Sequence, residues 1–540
     1  MRAAPDTQDG IVARLSAPLD RVGAWLASAR GWRRRGLALA AGAATALAFA
    51  PFYFLPLMVA GYAALVFLLD GAAGEAKKRR AAFATGWFFG FGFFLVGLYW
   101  MAFSFFVQAE EFAWMAPFAV TGMPAFLALF FGGAAALAVS FWRPGASRIL
   151  VFAAALMLFE YARGHILTGL PWNLPGQALA GTAAGAQSAA IYGVYGLSLV
   201  ALLAAMAPAA WKGAALKGVG VSLALAALLF GGGAARLAMP GPGVHDDVIV
   251  RVVQPNIPQR EKIDWDLWGR NFAKHIELSK GAAPQGAKLF VLWPENAASL
   301  VTEVDGAMEM LAQELPREST LLAGSVRRES DAAGKERYYN SLAVIAGAPA
   351  GAAPRRIVTD YYDKHHLVPF GEYLPFTNLL RAVGLAQLAP YDDGFSFGSG
   401  SRTINAGGPS FAPLICYEAI FPGETYPRDA RPEWLVTVTN DAWFGDTSGP
   451  RQHLDQARLR SIETGLPMAR SANTGISALI DSRGRYIGRI ALYKAGVFDA
   501  ALPRAASSTI YARVGDLLFA LMMFGCAAYG VFSGRGARAS

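Results

Sequence analysis

The hydrophobic pattern divides the chain before any motif is read. Long apolar runs cover about residues 36–51, 55–70, 82–106, 112–142, 147–162, 187–209 and 216–235, and an eighth covers about 513–533. A helix crossing a bilayer needs roughly 20 apolar residues, with a range of about 17–25. The first, second and fifth runs are short by that measure, and a buried core helix would explain any one of them. The set together predicts a polytopic helical membrane domain of about eight transmembrane helices. Ahead of it, Ile11, Leu15, Leu19, Val22 and Leu26 recur at near-helical spacing with Arg14, Asp20, Arg21 and Arg30 between them. That pattern fits an amphipathic helix lying on a membrane surface, or a solvated helix packed on another protein.

From about Val248 the texture changes. Residues 248–253, 289–293, 321–325, 341–345, 413–416 and 435–439 are short, mostly apolar and often β-branched, as buried strands are. Helical patterns occupy 263–280, 304–315 and 450–464. The fold class is therefore α/β for this part, joined through the Pro/Gly stretch 239–243. The expected domains are 1–240, a membrane domain with seven transmembrane helices; 241–505, a catalytic domain; and 506–540, a C-terminal transmembrane helix and cytoplasmic tail.

Charge assigns the sides. Arg30 and Arg33 to Arg35 precede the first run; the second loop has Lys77, Lys78, Arg79 and Arg80, the fourth Arg143 and Arg148, the sixth Lys212 and Lys217. The first loop has no Lys or Arg, the third has Glu110 and Glu111, and the fifth has only Arg163 at its edge. Arg535 and Arg538 follow the eighth run. The positive-inside rule then places both termini in the cytoplasm and the α/β domain on the opposite side. The net charge of +9 is accounted for by these loops, in a chain that is 54% hydrophobic and 16% charged, against roughly 25% charged in a typical soluble domain. No zinc spacing, P-loop or RNA-binding signature points to nucleic acid, and the two cysteines, Cys416 and Cys526, make no disulfide framework.

Three segments carry reactive groups. Leu292-Trp-Pro-Glu295 ends in a carboxylate, Asp363-Lys-His-His-Leu-Val-Pro-Phe-Gly-Glu372 carries an amine and a second carboxylate, and Phe411-Ala-Pro-Leu-Ile-Cys-Tyr-Glu-Ala-Ile-Phe421 carries Cys416. Only a folded domain could gather groups so far apart in sequence. A thiol accepts an acyl group as the thiolate. A carboxylate can take its proton, and an ammonium can stabilise the oxyanion that forms. Glu295, Lys364 and Cys416 would thus suffice for covalent acyl transfer. Each also has a structural reading: a helix N-terminal acid, a solvated cation, and a core cysteine. Glu160 and Arg163, followed by Gly169-Leu-Pro-Trp-Asn173, are either functional or an interfacial ion pair with a Trp anchor. His365 and His366 are adjacent and would face opposite ways on a strand, a poor metal site. His453 reads as structural.

These contexts resemble the nitrilase (carbon–nitrogen hydrolase) superfamily. Val253-Gln-Pro-Asn-Ile-Pro-Gln259, Lys364-His-His-Leu-Val-Pro-Phe-Gly-Glu372, Cys416-Tyr-Glu418 and Asn440-Asp-Ala-Trp-Phe-Gly445 are similar to its membrane branch, the apolipoprotein N-acyltransferases. The resemblance implies an αββα nitrilase-like sandwich outside the cytoplasm of a multi-pass bacterial inner-membrane protein. It implies Glu295 as general base, Lys364 as oxyanion stabiliser and Cys416 as nucleophile. Glu372 would be a second acid, with Tyr417, Glu418, Asn340 and Trp443 in support. Trp265 follows the first motif at an uncertain alignment and is left outside the set. The implied reaction is ping-pong and uses no cofactor or metal. The acyl donor is a phospholipid, typically phosphatidylethanolamine, and the acceptor is the α-amino group of a diacylglyceryl-cysteine apolipoprotein. Residues 374–400 and 440–452, rich in Gly and aromatics, are expected to form the substrate's way in. The alternatives are a membrane-tethered amidase or nitrilase with water as acceptor, and a transporter or receptor with an extracytoplasmic binding domain.

Overall fold

A computed structural model of the chain describes residues 8–533 except 212, 283, 331, 333, 349–352, 354 and 376–393. It forms two compact units, Met1–Met239 with Arg513–Ser540, and Pro240–Ala512.

In the first unit every apolar run is helical. Helix α1 (Gln8–Ser28) is followed by α2 (Gly31–Ala46), α3 (Leu55–Ala73), α4 (Lys78–Gly97), α5 (Ala116–Ala138), α6 (Ser147–Arg163), α7 (Ala189–Met206) and α8 (Ala215–Ala238). Leu517–Phe532 belongs to the same unit. Among the described residues, five helical stretches are long and apolar enough to cross a membrane: Leu55–Ala73, Lys78–Gly97, Ala109–Phe141, Ala189–Ala209 and Ala215–Ala238. The second run, short in sequence, is thus a full-length helix of 19 residues. The first, fifth and eighth give helices of 16, 17 and 16 residues. Arg33 to Arg35 lie inside α2 rather than before it.

Small residues let these helices touch. A Cβ added at Gly42 of α2 would lie 1.9 Å from the Phe89 carbonyl oxygen, and one at Gly92 of α4 2.2 Å from that of Leu39. The buried charges are paired. Arg148 Nε is 2.9 Å from Asp70 Oδ1, and Arg163 pairs with Glu160. Trp172 is buried and packs near Trp100, with centroids 4.8 Å apart. One side of α1 stays exposed at Leu15, Leu19, Val22 and Trp25, while Ser16 Oγ accepts from Leu216 N at 3.2 Å.

The second unit is a four-layer sandwich. One sheet has strand order β11-β1-β2-β3-β4-β5 and the other β10-β9-β8-β7-β6. Strands β1 (Val244–Gln254), β2 (Lys288–Trp293), β3 (Thr320–Ser330), β4 (Glu336–Gly347) and β5 (Arg356–Asp363) make up most of the first. Strands β6 (Phe411–Ile415), β7 (Trp434–Thr439), β8 (Met468–Ala472), β9 (Ser477–Ile480) and β10 (Tyr486–Ile490) form the second, and β11 (Gly496–Pro503) returns to pair with β1. The pairs β1–β2–β3 and β6–β7–β8 are parallel, and β3–β4–β5 are antiparallel.

Period-two alternation, with both faces covered, explains why the predicted strands are mostly apolar. On β2, Phe290 and Leu292 pack between the sheets with Leu342, Ile415, Val436 and Val438. Leu289, Val291 and Trp293 pack on the other face with Phe272 and Ile276 of α9 (Trp268–Ser279) and Leu311 of α10 (Ala307–Glu314). Leu454 and Ala457 of α11 (Gly449–Thr464) cover Leu414, Leu435 and Met468 on the outer face of the second sheet. The layers therefore run α, β, β, α.

Candidate active site

The reactive groups come from the ends of both sheets. Glu295 follows β2, Asn340 is on β4 and Lys364 follows β5, all in the first sheet. Cys416 comes from the second. It does not end a strand: β6 stops at Ile415, and Cys416 opens a 3-10 turn, Cys416–Ile420. Its φ is +51°, the left-handed region. Holding a side chain there costs about 1–2 kcal/mol, so the turn is imposed by its surroundings.

A buried polar knot holds the carboxylates and the amine. Asn340 Nδ2 donates to Glu295 Oε1 at 2.8 Å and to Glu372 Oε1 at 2.7 Å. Lys364 Nζ is 2.8 Å from Glu372 Oε2 and 3.8 Å from Glu295 Oε1. Val368 N donates to Glu372 Oε2 at 2.8 Å, and Lys364 N to the Asn340 carbonyl at 2.8 Å. Glu372 is thus a structural partner of both Lys364 and Asn340. Burial works against the Lys364 charge, but the carboxylates of Glu372 and then Glu295 outweigh it and hold the amine's pKa well above its ordinary value. Burial, and next the Glu295 charge, push the Cys416 thiol up, while Lys364 pulls it down.

The turn is clamped by Glu418. Its carboxylate accepts from Ile415 N at 2.7 Å, His365 N at 2.8 Å and the Tyr362 hydroxyl at 2.9 Å. Burial alone would raise the Glu418 pKa; the His365 hydrogen bond and charge reverse that and lower it. The two adjacent histidines lie in a bend beyond β5, not on a strand as the sequence reading supposed. His365 faces Glu418 at 2.8 Å, and His366 stacks on Phe421, with centroids 3.6 Å apart, and faces Glu424 at 3.1 Å. The Tyr417 ring meets His366 and Phe421 edge-on. Trp443, in the turn Asp441–Phe444, is exposed at 36%, and Trp265 at 56%.

Two sequence motifs meet in space. Asn440 Nδ2 donates to Gln259 Oε1 at 2.6 Å, and Asn473 bridges Asn440 Oδ1 at 3.0 Å and the Ile257 carbonyl at 2.7 Å. That contact carries in a residue the sequence reading did not select. Lys262 Nζ donates to the Glu295 carbonyl at 2.5 Å, and burial lowers its pKa to about 8 against the pull of Glu295 and Cys416. Asp441 and Arg470 were also missed; Arg470 Nη2 donates to Asp441 Oδ2 at 2.8 Å. Burial would raise Asp441, but Arg470 and then His453 hold its carboxyl at about 2. Among the described residues, no group of three or more His, Cys, Asp or Glu could hold a metal ion. Of the two expected access stretches, most of 374–400 lies outside the described residues, and 440–452 begins in the buried Asn440–Asp441 network.

Comparison with known proteins agrees with both units. Residues 41–207 match the family model of the apolipoprotein N-acyltransferase N-terminal domain, and 249–511 that of carbon-nitrogen hydrolases. The apolipoprotein N-acyltransferase of Rhodopseudomonas palustris is 40% identical over 527 residues, covering 94% of this chain and 96% of the relative. That of Bradyrhizobium diazoefficiens is 42% identical over 515 residues, covering 91% and 94%, and that of Allorhizobium ampelinum 41% over 506, covering 91% and 93%. With its apolar helices the chain is a membrane protein, and it belongs to the apolipoprotein N-acyltransferase family.

Proposed function

We propose that this chain carries an acyl chain from a phospholipid to the N-terminal amine of diacylglyceryl-cysteine apolipoproteins through a thioester on Cys416. As Sγ attacks the sn-1 ester carbon, Glu295 takes the thiol proton. The developing oxyanion meets the Lys364 ammonium. The ester C–O bond breaks, the proton passes from Glu295 to the departing alcohol, and a lysophospholipid leaves. The acceptor amine then attacks the thioester, Glu295 takes its proton and passes it to the departing sulfur as the C–S bond breaks, and Cys416 leaves as the thiol it began as. Asn340 and Glu372 position Glu295 and Lys364; Glu418 and Tyr417 shape the turn; Trp443 lines the approach. No cofactor enters. Phosphatidylethanolamine is the proposed donor.

The observation that carries this reading is the buried Glu295–Asn340–Glu372–Lys364 knot, coupled electrostatically to Cys416. The helical unit supplies the reason for a membrane setting: both proposed substrates are anchored in a bilayer. All eight apolar helices cross the inner membrane in this proposal, with residues 1–240 and 506–540 forming the membrane part and 241–505 the catalytic part on the periplasmic side.

Intact-protein mass after incubation with phosphatidylethanolamine vesicles tests it. Wild type gains one fatty-acyl mass and Cys416→Ala gains none; adding a diacylated lipopeptide then moves the acyl group to the peptide amine. Acylation of the Cys416→Ala protein would reject the mechanism. Release of free fatty acid in place of peptide acylation would identify a membrane-tethered amidase or hydrolase instead.

A further inference from the structure

Cys416 needs something to hold its left-handed backbone, and its carbonyl oxygen shows what does. That oxygen lies 3.1 Å from His453 Nε2. His453 stands on α11, 1% exposed, beneath the turn that carries the cysteine. Its other ring nitrogen, Nδ1, is 2.9 Å from Asp441 Oδ1 and 3.2 Å from Arg470 Nη2. Thr439 Oγ1 donates to the same Asp441 oxygen at 3.0 Å, and Arg470 Nη2 to the other at 2.8 Å. Whether Nδ1 donates to Asp441 or accepts from Arg470, Nε2 faces a carbonyl, which only accepts, and so Nε2 carries a hydrogen.

We infer that His453 is a positioning residue for Cys416: through Nε2–H it pins the Cys416 carbonyl and so fixes the turn that presents the thiol. The support runs unbroken through three elements of the second sheet, from Arg470 on β8, through Asp441 after β7, to His453 and the cysteine after β6. On the side of the first sheet, where Glu295 and Lys364 stand, Glu418 ties the turn to Tyr362 and the His365 amide; His453 holds the Cys416 peptide itself from the opposite face. Both ties matter to a nucleophile, because a displacement near 1 Å costs roughly a hundredfold in rate. This inference rests on the reading of Cys416 as the acylated residue.

Two substitutions divide the ring's two contacts. His453→Gln places an amide N–H near the position of Nε2, and His453→Asn places one near Nδ1. Full-length protein in detergent, mixed with phosphatidylethanolamine, gives the single-turnover rate of acyl-enzyme formation by intact mass. A third variant, His453→Leu, removes both contacts; the expected result is a fall of about ten- to a hundredfold for Asn and for Leu, with an unchanged donor concentration for half-maximal rate, and recovery by Gln to within about threefold of wild type. Equal rates for Gln and Asn, or wild-type rates for all three, would overturn the inference. A measurement on the unaltered protein stands independently of folding in the variants: ¹⁵N-histidine spectra must show His453 protonated at Nε2, and a bare Nε2 sinks the idea. Cys416→Ala separates the levels. If that variant is still acylated, the parent reading fails; if it is blank while Gln and Asn behave alike, only the role of His453 fails.

Discussion

Asn340→Asp exchanges one NH2 for one oxygen and inverts the logic of the site. In wild type the two amide hydrogens point at Glu295 Oε1 and Glu372 Oε1, 2.8 and 2.7 Å away. A third carboxylate there would face both. At an effective dielectric near 20, two unit charges that close repel by about 6 kcal/mol per contact, so about 12 kcal/mol would oppose full ionisation. Keeping a proton on the new side chain is the cheaper route. At pH 7.5, against an ordinary aspartate value of about 3.9, that costs about 5 kcal/mol. The protonated acid restores one of the two donors, and the other charge-assisted hydrogen bond is lost for about 1.5–3 kcal/mol. The total, about 7 kcal/mol, compares with a whole-domain stability of about 5–15 kcal/mol. The sign with pH follows. The folded variant holds a proton that the unfolded chain has released, so its stability rises as pH falls. From pH 7.5 to 5.5 the gap to wild type should narrow by about 2.7 kcal/mol. Guanidinium unfolding of both full-length proteins at the two pH values measures it. A gap that does not move with pH, or a variant as stable as wild type at pH 7.5, would refute the reasoning.

Gly324→Ala should impair acyl-enzyme formation without touching a reactive group. Its Cβ would lie 2.4 Å from both Glu295 Cα and the Pro294 oxygen, and the forced shift of the base should cost at least about tenfold in the single-turnover rate; an unchanged rate would show that the loop yields elsewhere. Arg470→Met strips Asp441 of its strongest partner and should cost about 3–5 kcal/mol at pH 7.5. Because Asp441 is held at about 2 in the folded protein, its stabilisation is present above the ordinary aspartate value and is lost as pH falls from there toward 2, so the deficit of Arg470→Met should shrink between about pH 4 and pH 2. Lys262, lowered to about 8, holds fewer protons folded than unfolded between pH 8 and about 10.5, so wild-type stability gains from rising pH in that window; Lys262→Met should lack that gain, and equal pH slopes for the two would contradict the assignment.

The parts of the catalytic unit that could be read from sequence are those whose side chains face apolar layers on both sides. β2 and β7 are mostly apolar on both faces because the inner core and the outer helices cover them. β8 escapes that reading because Arg470 and Ser471 sit in its middle, fully buried. Their partners lie far off in sequence: Asp441 and His453 for Arg470, and the Val253 carbonyl for Ser471. β10 escapes because it is half exposed and alternates Tyr486, Gly488 and Ile490 with Ile487 and Arg489. At the site, Glu295, Lys364 and Cys416 stand out in the sequence as the residue types of the proposed chemistry. Lys262 was not: in Arg260-Glu261-Lys262 it looks like solvated charge, and only the packing of 253–259 against Asn440 carries its amine to the Glu295 carbonyl. The left-handed φ of Cys416 has no sequence signal either, since the residue that usually marks such a turn is glycine.

The division of the site between two sheets sets what kind of control the fold can exert. Glu295 and Lys364 follow β2 and β5, Cys416 follows β6, and what separates the two sides is the core shared by Leu292, Leu342, Ile415, Val436 and Val438. Such a core is close-packed and does not deform continuously, so that separation is a fixed property of the sandwich. Two links then trim the geometry across it. Glu418, beside the nucleophile, reaches back to Tyr362 and the His365 amide at the end of β5, tying the cysteine's turn to the strand that delivers Lys364. His453 and Asp441 hold the same turn from behind. The Cys416 turn is thus held from both faces. Of the carboxylates that act on the thiol, Glu295 is the one whose charge raises it most, which supports the proposal that Glu295 receives the thiol's proton when an ester carbonyl arrives to accept the sulfur.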